Sequence, residues 1–268
     1  MSSPRLLLEV AGISKRFGGL QAVRDLSFGM ARGEVLGLIG PNGAGKTTAF
    51  NALSGVYAPS EGSVFLGGVR VNGLRPHQVC ALGVARTFQN IRLFKNLSAL
   101  DNVRIACHAR GHGPLWEPLL GTSGHEVREG RMEATARELL EVMGLGDLAD
   151  AQAKNLPYGL QRRLEIARAL GAEPKVLCLD EPAAGMNATE TAALMSLIHD
   201  IRDRFGVAVL LIEHDMKLVM GISERLIVLD HGVTISSGKP EDVRKDPKVI
   251  EAYLGVEDGH KALDSEAA

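Results

Sequence analysis

The sequence predicts an α/β fold with a mainly parallel sheet, and three observations point there. Short aliphatic or β-branched runs alternate with amphipathic helical stretches, the pattern of strands joined by helical crossovers. Three of those runs end on glycine turns or polar residues, at Ile39, Asp180 and Glu213. Ligands of open α/β sheets bind beyond the carboxyl ends of strands, so three such ends mark one site. A glycine-rich loop, Gly40 to Thr47, stands between the first of these ends and a helix.

The expected strands are Leu6–Val10, Glu34–Ile39, Val84–Thr87, Val176–Asp180, Ala208–Glu213 and Leu226–Leu229. Between the last strands, Leu194, Leu197, Ile198, Ile201 and Phe205 recur at helical spacing and predict one buried face on a helix from Ala188 to Phe205. Asn187, followed by Glu190, has the spacing of a capping box at its start. From Lys95 to Lys154 the texture changes. Met132, Ala136, Leu139, Leu140 and Met143 form a second helical stripe, with Gly144 as its expected C-cap. Gly111 to Gly124 reads as a loop and holds the lone tryptophan, Trp116. These features predict a helical subdomain inserted between two halves of a sheet domain. The expected division is 6–94 with 165–255 for the core, 95–164 for the insertion and 256–268 for a disordered tail.

Bulk properties narrow the class. The chain has 268 residues, enough for one large domain or a core with a sizeable insertion. Its formal net charge of −2 gives no electrostatic case for nucleic acid or acidic lipid. Apolar runs such as Val207 to Ile212 fall far short of the roughly 20 residues that span a bilayer. The start of the chain lacks a signal-peptide layout. Cys80, Cys107 and Cys178 are widely spaced and odd in number, which suits a reducing cytoplasm.

Gly40-Pro-Asn-Gly-Ala-Gly-Lys-Thr47 fits G-x-x-x-x-G-K-[ST], with a strand before it and a helix through Ala49, Phe50 and Leu53 after it. Glycines 43 and 45 let backbone N–H groups curl around a β-phosphate, and the helix N-terminus adds partial positive charge. Lys46 supplies a cation between β- and γ-phosphates, and the Thr47 hydroxyl suits Mg²⁺. The loop implies a nucleoside triphosphate site built from Asn42, Gly43, Ala44, Gly45, Lys46, Thr47 and Thr48.

Asp180 ends a buried strand and suits Mg²⁺ held through water, while Glu181 is the candidate general base. Pro182 limits where Glu181 points. His214 follows another buried strand and suits the γ-phosphate and the attacking water.

The loop and acidic pair alone would also suit a kinase, a GTPase or a helicase. Phe17, Gln89 in Ala85-Arg-Thr-Phe-Gln-Asn90 and Leu156-Pro-Tyr-Gly-Leu-Gln-Arg-Arg163 narrow the choice, because together they resemble the ABC ATPase family. The resemblance implies a P-loop core with an antiparallel β subdomain. It implies Phe17 stacked on adenine, and Gln89 touching Mg²⁺ and water and sensing a membrane subunit. It assigns Pro157, Tyr158, Gly159, Leu160 and Gln161 to the signature that caps ATP on a partner cassette. Ala184, Gly185, Met186 and Asn187 become the loop that contacts the partner's nucleotide site. Pro157 stands where the family has a serine, and offers neither hydroxyl nor N–H. Unequal ATP sites in the assembled dimer are the expectation that follows.

Ala85 to Phe94, Leu164 to Arg168, Leu179 to Asn187 and Ile212 to Met220 are similar to one cassette of the branched-chain amino acid importers, as are Val233 to Pro240 and Tyr253-Leu-Gly255. That resemblance implies ATP and Mg²⁺, a second cassette, two membrane-spanning permease subunits and, indirectly, a periplasmic substrate-binding protein. Its place would be the cytoplasmic face of a bacterial inner membrane. Urea or amide import and lipopolysaccharide export are alternative cargoes, and a soluble ABC ATPase acting on DNA or ribosomes is the rival outside transport. The sequence shows no Asn-Lys-x-Asp guanine motif, no second fused cassette and no long coiled coil.

Overall fold

The computed structural model describes residues 6–108, 123–214 and 216–253. In chain order, β1 (Leu8–Phe17), β2 (Leu20–Met30) and β3 (Val35–Ile39) lead to α1 (Lys46–Leu53). Then come β4 (Glu61–Leu66), β5 (Val69–Arg70), α2 (Pro76–Leu82), β6 (Val84–Arg86), α3 (Ala99–His108) and α4 (Ser123–Val142). After them follow α5 (Tyr158–Gly171), β7 (Val176–Asp180), α6 (Ala188–Phe205), β8 (Ala208–Ile212) and α7 (Met216–Ile222). β9 (Arg225–Asp230), β10 (Val233–Gly238), α8 (Pro240–Val243) and a helical segment over 247–253 complete the chain's described part.

Among the described residues the strands form two sheets. One is antiparallel, in the order β2-β1-β4-β5, and the other has the order β10-β9-β3-β8-β7-β6. In the second, β9, β3, β8, β7 and β6 run parallel, and β10 pairs antiparallel at one edge. Every residue of β3, β7 and β8 is buried, the mark of strands covered on both faces. The period of two then sorts their side chains. Val35, Ile39, Leu177, Leu179, Val209 and Leu211 enter a core shared with α5 and α6. Leu36, Leu38, Cys178, Leu210 and Ile212 enter a second core with Phe50 of α1 and Leu8, Val10 and Ile13 of β1.

The parallel strands lie close to their expected positions, but the antiparallel sheet differs from the reading of its apolar runs. β1 continues seven residues past Val10 to Phe17, β2 and β5 carry no long apolar run, and β4 has only the short run Val64–Leu66. β2 and β4 mix buried and open positions, and β5 is exposed throughout. One-sided burial leaves only a weak signal.

α5 begins at Tyr158, with Pro157 as its N-cap. Proline's fixed φ suits the start of a helix, where its missing N–H breaks no bond. Gly124 lies within α4 and not in a loop. Trp116 and the tail 256–268 lie outside the described residues. Ala136, Leu139 and Leu140 of α4 and Met143 just after it are buried with Val103 of α3 and Leu164 and Leu170 of α5, and Gly144 turns left-handed after them.

Asn187 caps α6 as its spacing predicts. Its Oδ1 accepts from the N–H groups of Thr189 and Glu190, both at 3.0 Å, and Glu190 Oε2 accepts from the Asn187 N–H at 3.0 Å. Replacing this cap, Asn187→Ala, should cost about 1 kcal/mol in urea-induced unfolding, whereas Asn187→Ser should cost only a few tenths.

Candidate functional site

The carboxyl ends of β3, β7 and β8 meet at one place because those strands lie side by side in the order β3-β8-β7. A cleft of about 690 Å³ opens there. Phe17, the loop residues from Asn42 to Thr48, Gln89 and Glu181 all line it. Residues scattered over more than half the sequence thus share one surface.

The loop is shaped as an anion cradle. Gly43 has φ of 80° and Gly45 φ of 99°, conformations that side-chain-bearing residues rarely adopt. A Cβ on Gly45 would collide with the carbonyl oxygen of Ala22 in β2. The Gly43 position is open to the cleft, so its requirement is backbone conformation and not space within the protein. Gly45 is the N-cap of α1, so the first N–H groups of that helix point into the cleft.

Lys46 is only 7% exposed, and its ammonium donates to the carbonyls of Gly40 at 2.6 Å and Pro41 at 2.9 Å. Burial pulls its pKa down, opposed by the charges of Glu181 and Asp180. Asp180 is buried against Arg86, whose Nη2 lies 2.7 Å from Oδ2. Two neighbours of Asp180 and the loop are therefore cations, and the carboxylates sit where they can balance them.

Glu181 has φ of 45°, in the left-handed region, and its N–H donates to the Ile212 carbonyl at 2.9 Å. A non-glycine residue there carries a strain of roughly 1 kcal/mol. The turn aims its carboxylate back over the cleft, where Gln89 Nε2 donates to Glu181 Oε2 at 2.7 Å. His214 Nδ1 lies 3.9 Å from Glu181 Oε1, with its side chain 59% exposed. Phe17 is 45% exposed and meets the Tyr57 ring edge-on at 5.3 Å, so it is an open aromatic face and not a core residue.

The signature candidates sit elsewhere. Pro157, Gly159 and Leu160 line a small hollow with Met186 and Glu190, outside the cleft of Lys46. Tyr158 is exposed and lies beside Gly185, so the segments 157–161 and 184–187 form one patch. Thr47 and Asn187 are exposed.

Three features escaped sequence reasoning. Leu20, Gln21, Ala22 and His231 also line the cleft, brought in by β2 and by the turn after β9. Arg86 pairs with Asp180; a charged residue at the end of a short apolar strand was the available signal. Glu213 is 1% exposed, and its Oε1 accepts from the Ala183 N–H at 3.0 Å while Oε2 accepts from the His214 N–H at 3.3 Å. It pins the loop after Glu181 to the turn that carries His214. Cys178, two residues before Asp180, is no rival nucleophile, since burial pushes its thiol up to about 12.

Burial raises the Glu213 pKa above the ordinary 4.5, against the two N–H groups that favour the anion. A raised carboxylate pKa stabilises the fold most below the unfolded value, and that contribution fades as pH rises through the folded value. Glu213→Gln keeps an acceptor for Ala183 without the buried charge. Its melting temperature should therefore gain on the parent's between pH 4 and pH 8; a constant difference across that range would contradict this.

The chain's relatives agree with this geometry. Residues 23–184 match the family described as ABC transporter, and residues 233–259 match the branched-chain amino acid ATP-binding cassette transporter family. The chain is 46% identical over 255 residues to LivG of Salmonella typhimurium, a high-affinity branched-chain amino acid transport ATP-binding protein, covering 95% of this chain and 99% of LivG. BraF of Pseudomonas aeruginosa, which bears the same description, is likewise 46% identical over 255 residues, with 95% and 99% covered. Among solved structures, the ADP conformation of MJ1267, an ATP-binding cassette of an ABC transporter, aligns with a TM-score of 0.81 at 30% identity over 93% of this chain and 99% of that one. A glycine cradle, a buried lysine and a carboxylate pair at the head of a parallel sheet, in a sequence with these relatives, make the chain a member of the ABC transporter ATP-binding family, in its branched-chain amino acid group.

Proposed function

We propose that this chain hydrolyses ATP to ADP and phosphate as the energising subunit of an importer whose solute is a branched-chain amino acid. The observation that carries the enzymatic part is the hydrogen bond from Gln89 to Glu181 at the mouth of the Lys46 cleft. The solute rests on LivG and BraF, since nothing in the cleft is shaped for an amino acid.

In this reading, N–H groups of Gly43, Ala44 and Gly45 and of the first turn of α1, with Asn42 and Thr48 beside them, surround the β-phosphate. Lys46 exchanges its hold on the Gly40 and Pro41 carbonyls for the β- and γ-phosphate oxygens. Phe17 lies flat against adenine. Glu181 takes a proton from water as that water attacks the γ-phosphorus, and the bond to the β-phosphate oxygen breaks. Gln89 and His214 hold the water and the γ-phosphate in line.

The oxygen donors present suit Mg²⁺, which keeps several waters and needs only a hydroxyl and one or two carboxyl or amide oxygens beside phosphate. Thr47, Asp180 and Gln89 would hold it, and it would neutralise charge on the phosphates. No group of three or more His, Cys, Asp or Glu side chains among the described residues forms a metal cage, as such a site requires none.

The patch of residues 157–161 and 184–187 serves the partner's nucleotide, so ATP favours a closed pair of cassettes by binding that state better. An apolar groove of about 410 Å³, with Val56, Pro76, Phe88, Phe94 and Ile105 in its lining, suits a cytoplasmic helix of a permease subunit. No helix among the described residues is long and apolar enough to cross a membrane, so those subunits would hold the chain at the cytoplasmic face of the inner membrane, with the substrate-binding protein on the other side. An inserted helical unit draws support from the mutual packing of α3, α4 and α5, although the proposed boundary at 164/165 falls inside α5 (Tyr158–Gly171).

Glu181→Gln in the assembled transporter should lower kcat by roughly 10²- to 10⁴-fold with ATP binding retained. A parental rate would remove Glu181 as the base. Lys46→Ala should weaken ATP binding at least about tenfold in calorimetric titration. Pro157→Ser restores a donor toward the partner's γ-phosphate and should raise transporter ATPase severalfold; an unchanged rate would argue against unequal sites.

A further inference from the structure

Arg162 is the largest fully buried side chain among the described residues, with 0% exposure. Its charge is met by Glu165, three residues on, at 2.8 Å. Its two terminal nitrogens also reach the loop after β6 and the first residue of the helix, while Nε is buried without a partner. Nη1 donates to the Phe88 carbonyl at 2.7 Å, and Nη2 donates to the Gln89 carbonyl at 2.8 Å and to the Tyr158 hydroxyl at 3.3 Å. Glu165 uses its other oxygen on the same loop, accepting from the Arg92 N–H at 3.1 Å. One buried ion pair therefore grips residues 88, 89 and 92 from α5, and reaches the ring that opens that helix.

Burying an arginine and a glutamate costs desolvation that an apolar pair would avoid, so such a pair is a poor device for stability alone. What this pair supplies is direction. The planar guanidinium fork fixes two successive carbonyls, which orients the peptide that carries the Gln89 side chain. That side chain meets Glu181 on one side, and Tyr158 on the other lies against Gly185.

We infer that Arg162, held by Glu165, is a positioning residue that ties the backbone of Gln89 to the helix beginning at Tyr158, so that Gln89 meets Glu181 only while α5 is seated. This rests on the hydrolytic reading of Glu181 given above. Arg162 does not line the nucleotide cleft, so its loss should spare ATP affinity and slow turnover.

The test compares the parent transporter with Arg162→Lys and with the double change Arg162→Met/Glu165→Leu, measuring melting temperature, KM for ATP and kcat. The double change leaves no unpaired buried charge and should melt near the parent. Its kcat should fall roughly tenfold or more with KM within about twofold. Arg162→Lys keeps the charge beside Glu165 but lacks the planar fork that meets Glu165 and both carbonyls from two separate nitrogens, and should show the same split. Parental kcat in either variant overturns the inference, as does a rise in KM that matches the loss in kcat/KM. If the parent itself hydrolyses no ATP, the hydrolytic reading fails first, and the two failures are told apart.

Discussion

The structure turns on a lysine ammonium held with little access to water at the head of a parallel sheet. A cation there is tolerable only if carbonyl dipoles and anions surround it, or if a ligand supplies the negative charge. Gly40 and Pro41 offer the carbonyls, and Asp180 and Glu181 supply the nearby anions. Sheet order sets their spacing. β8 lies between β3 and β7, so the loop after β3 and the carboxylates after β7 are two strand spacings apart, about 10 Å. That gap is wide enough for a phosphate chain with the lysine beside it, and β8 delivers Glu213 and His214 to its middle.

The turn at Glu181 depends on the same topology. Glu181 adopts its left-handed φ because its N–H is tied to the end of β8 and Glu213 fastens the following loop at Ala183. Gln89 arrives from the end of β6, on the far side of β7. Each of these groups stands at a strand end, and none depends on a long flexible loop for its placement.

Much of this was legible in the sequence. The fully buried strands β3, β7 and β8 announce themselves as apolar runs, and the glycine loop, Asp180, Glu181 and His214 follow directly from where those runs stop. α6 was readable in its span, its Asn187 cap and the buried face of Leu194, Leu197, Ile198 and Ile201, but Phe205, expected on that face, is 37% exposed at the helix end. The antiparallel sheet was not, because a strand with one wet face, such as β2, mixes polar and apolar residues along its whole length. The partners Arg86 and Arg162 were also hidden, as a sequence gives no distance between residues 86 and 180, or between 162 and 88. For Arg86 a charged residue ending a short apolar strand was the hint; Arg162, between Gln161 and Arg163, gave none. Phe17, Tyr158 and His214, the side chains that would face a nucleotide, remain open to solvent in the single chain, which suits a site completed by another surface.

That completion is the central claim, and the mass of a hydrolysis-deficient chain in solution measures it. Glu181→Gln protein, together with its companion cassette, should double in mass by light scattering when saturated with ATP and Mg²⁺, and should return to single chains with ADP. Single chains throughout, with ATP demonstrably bound, would contradict the account.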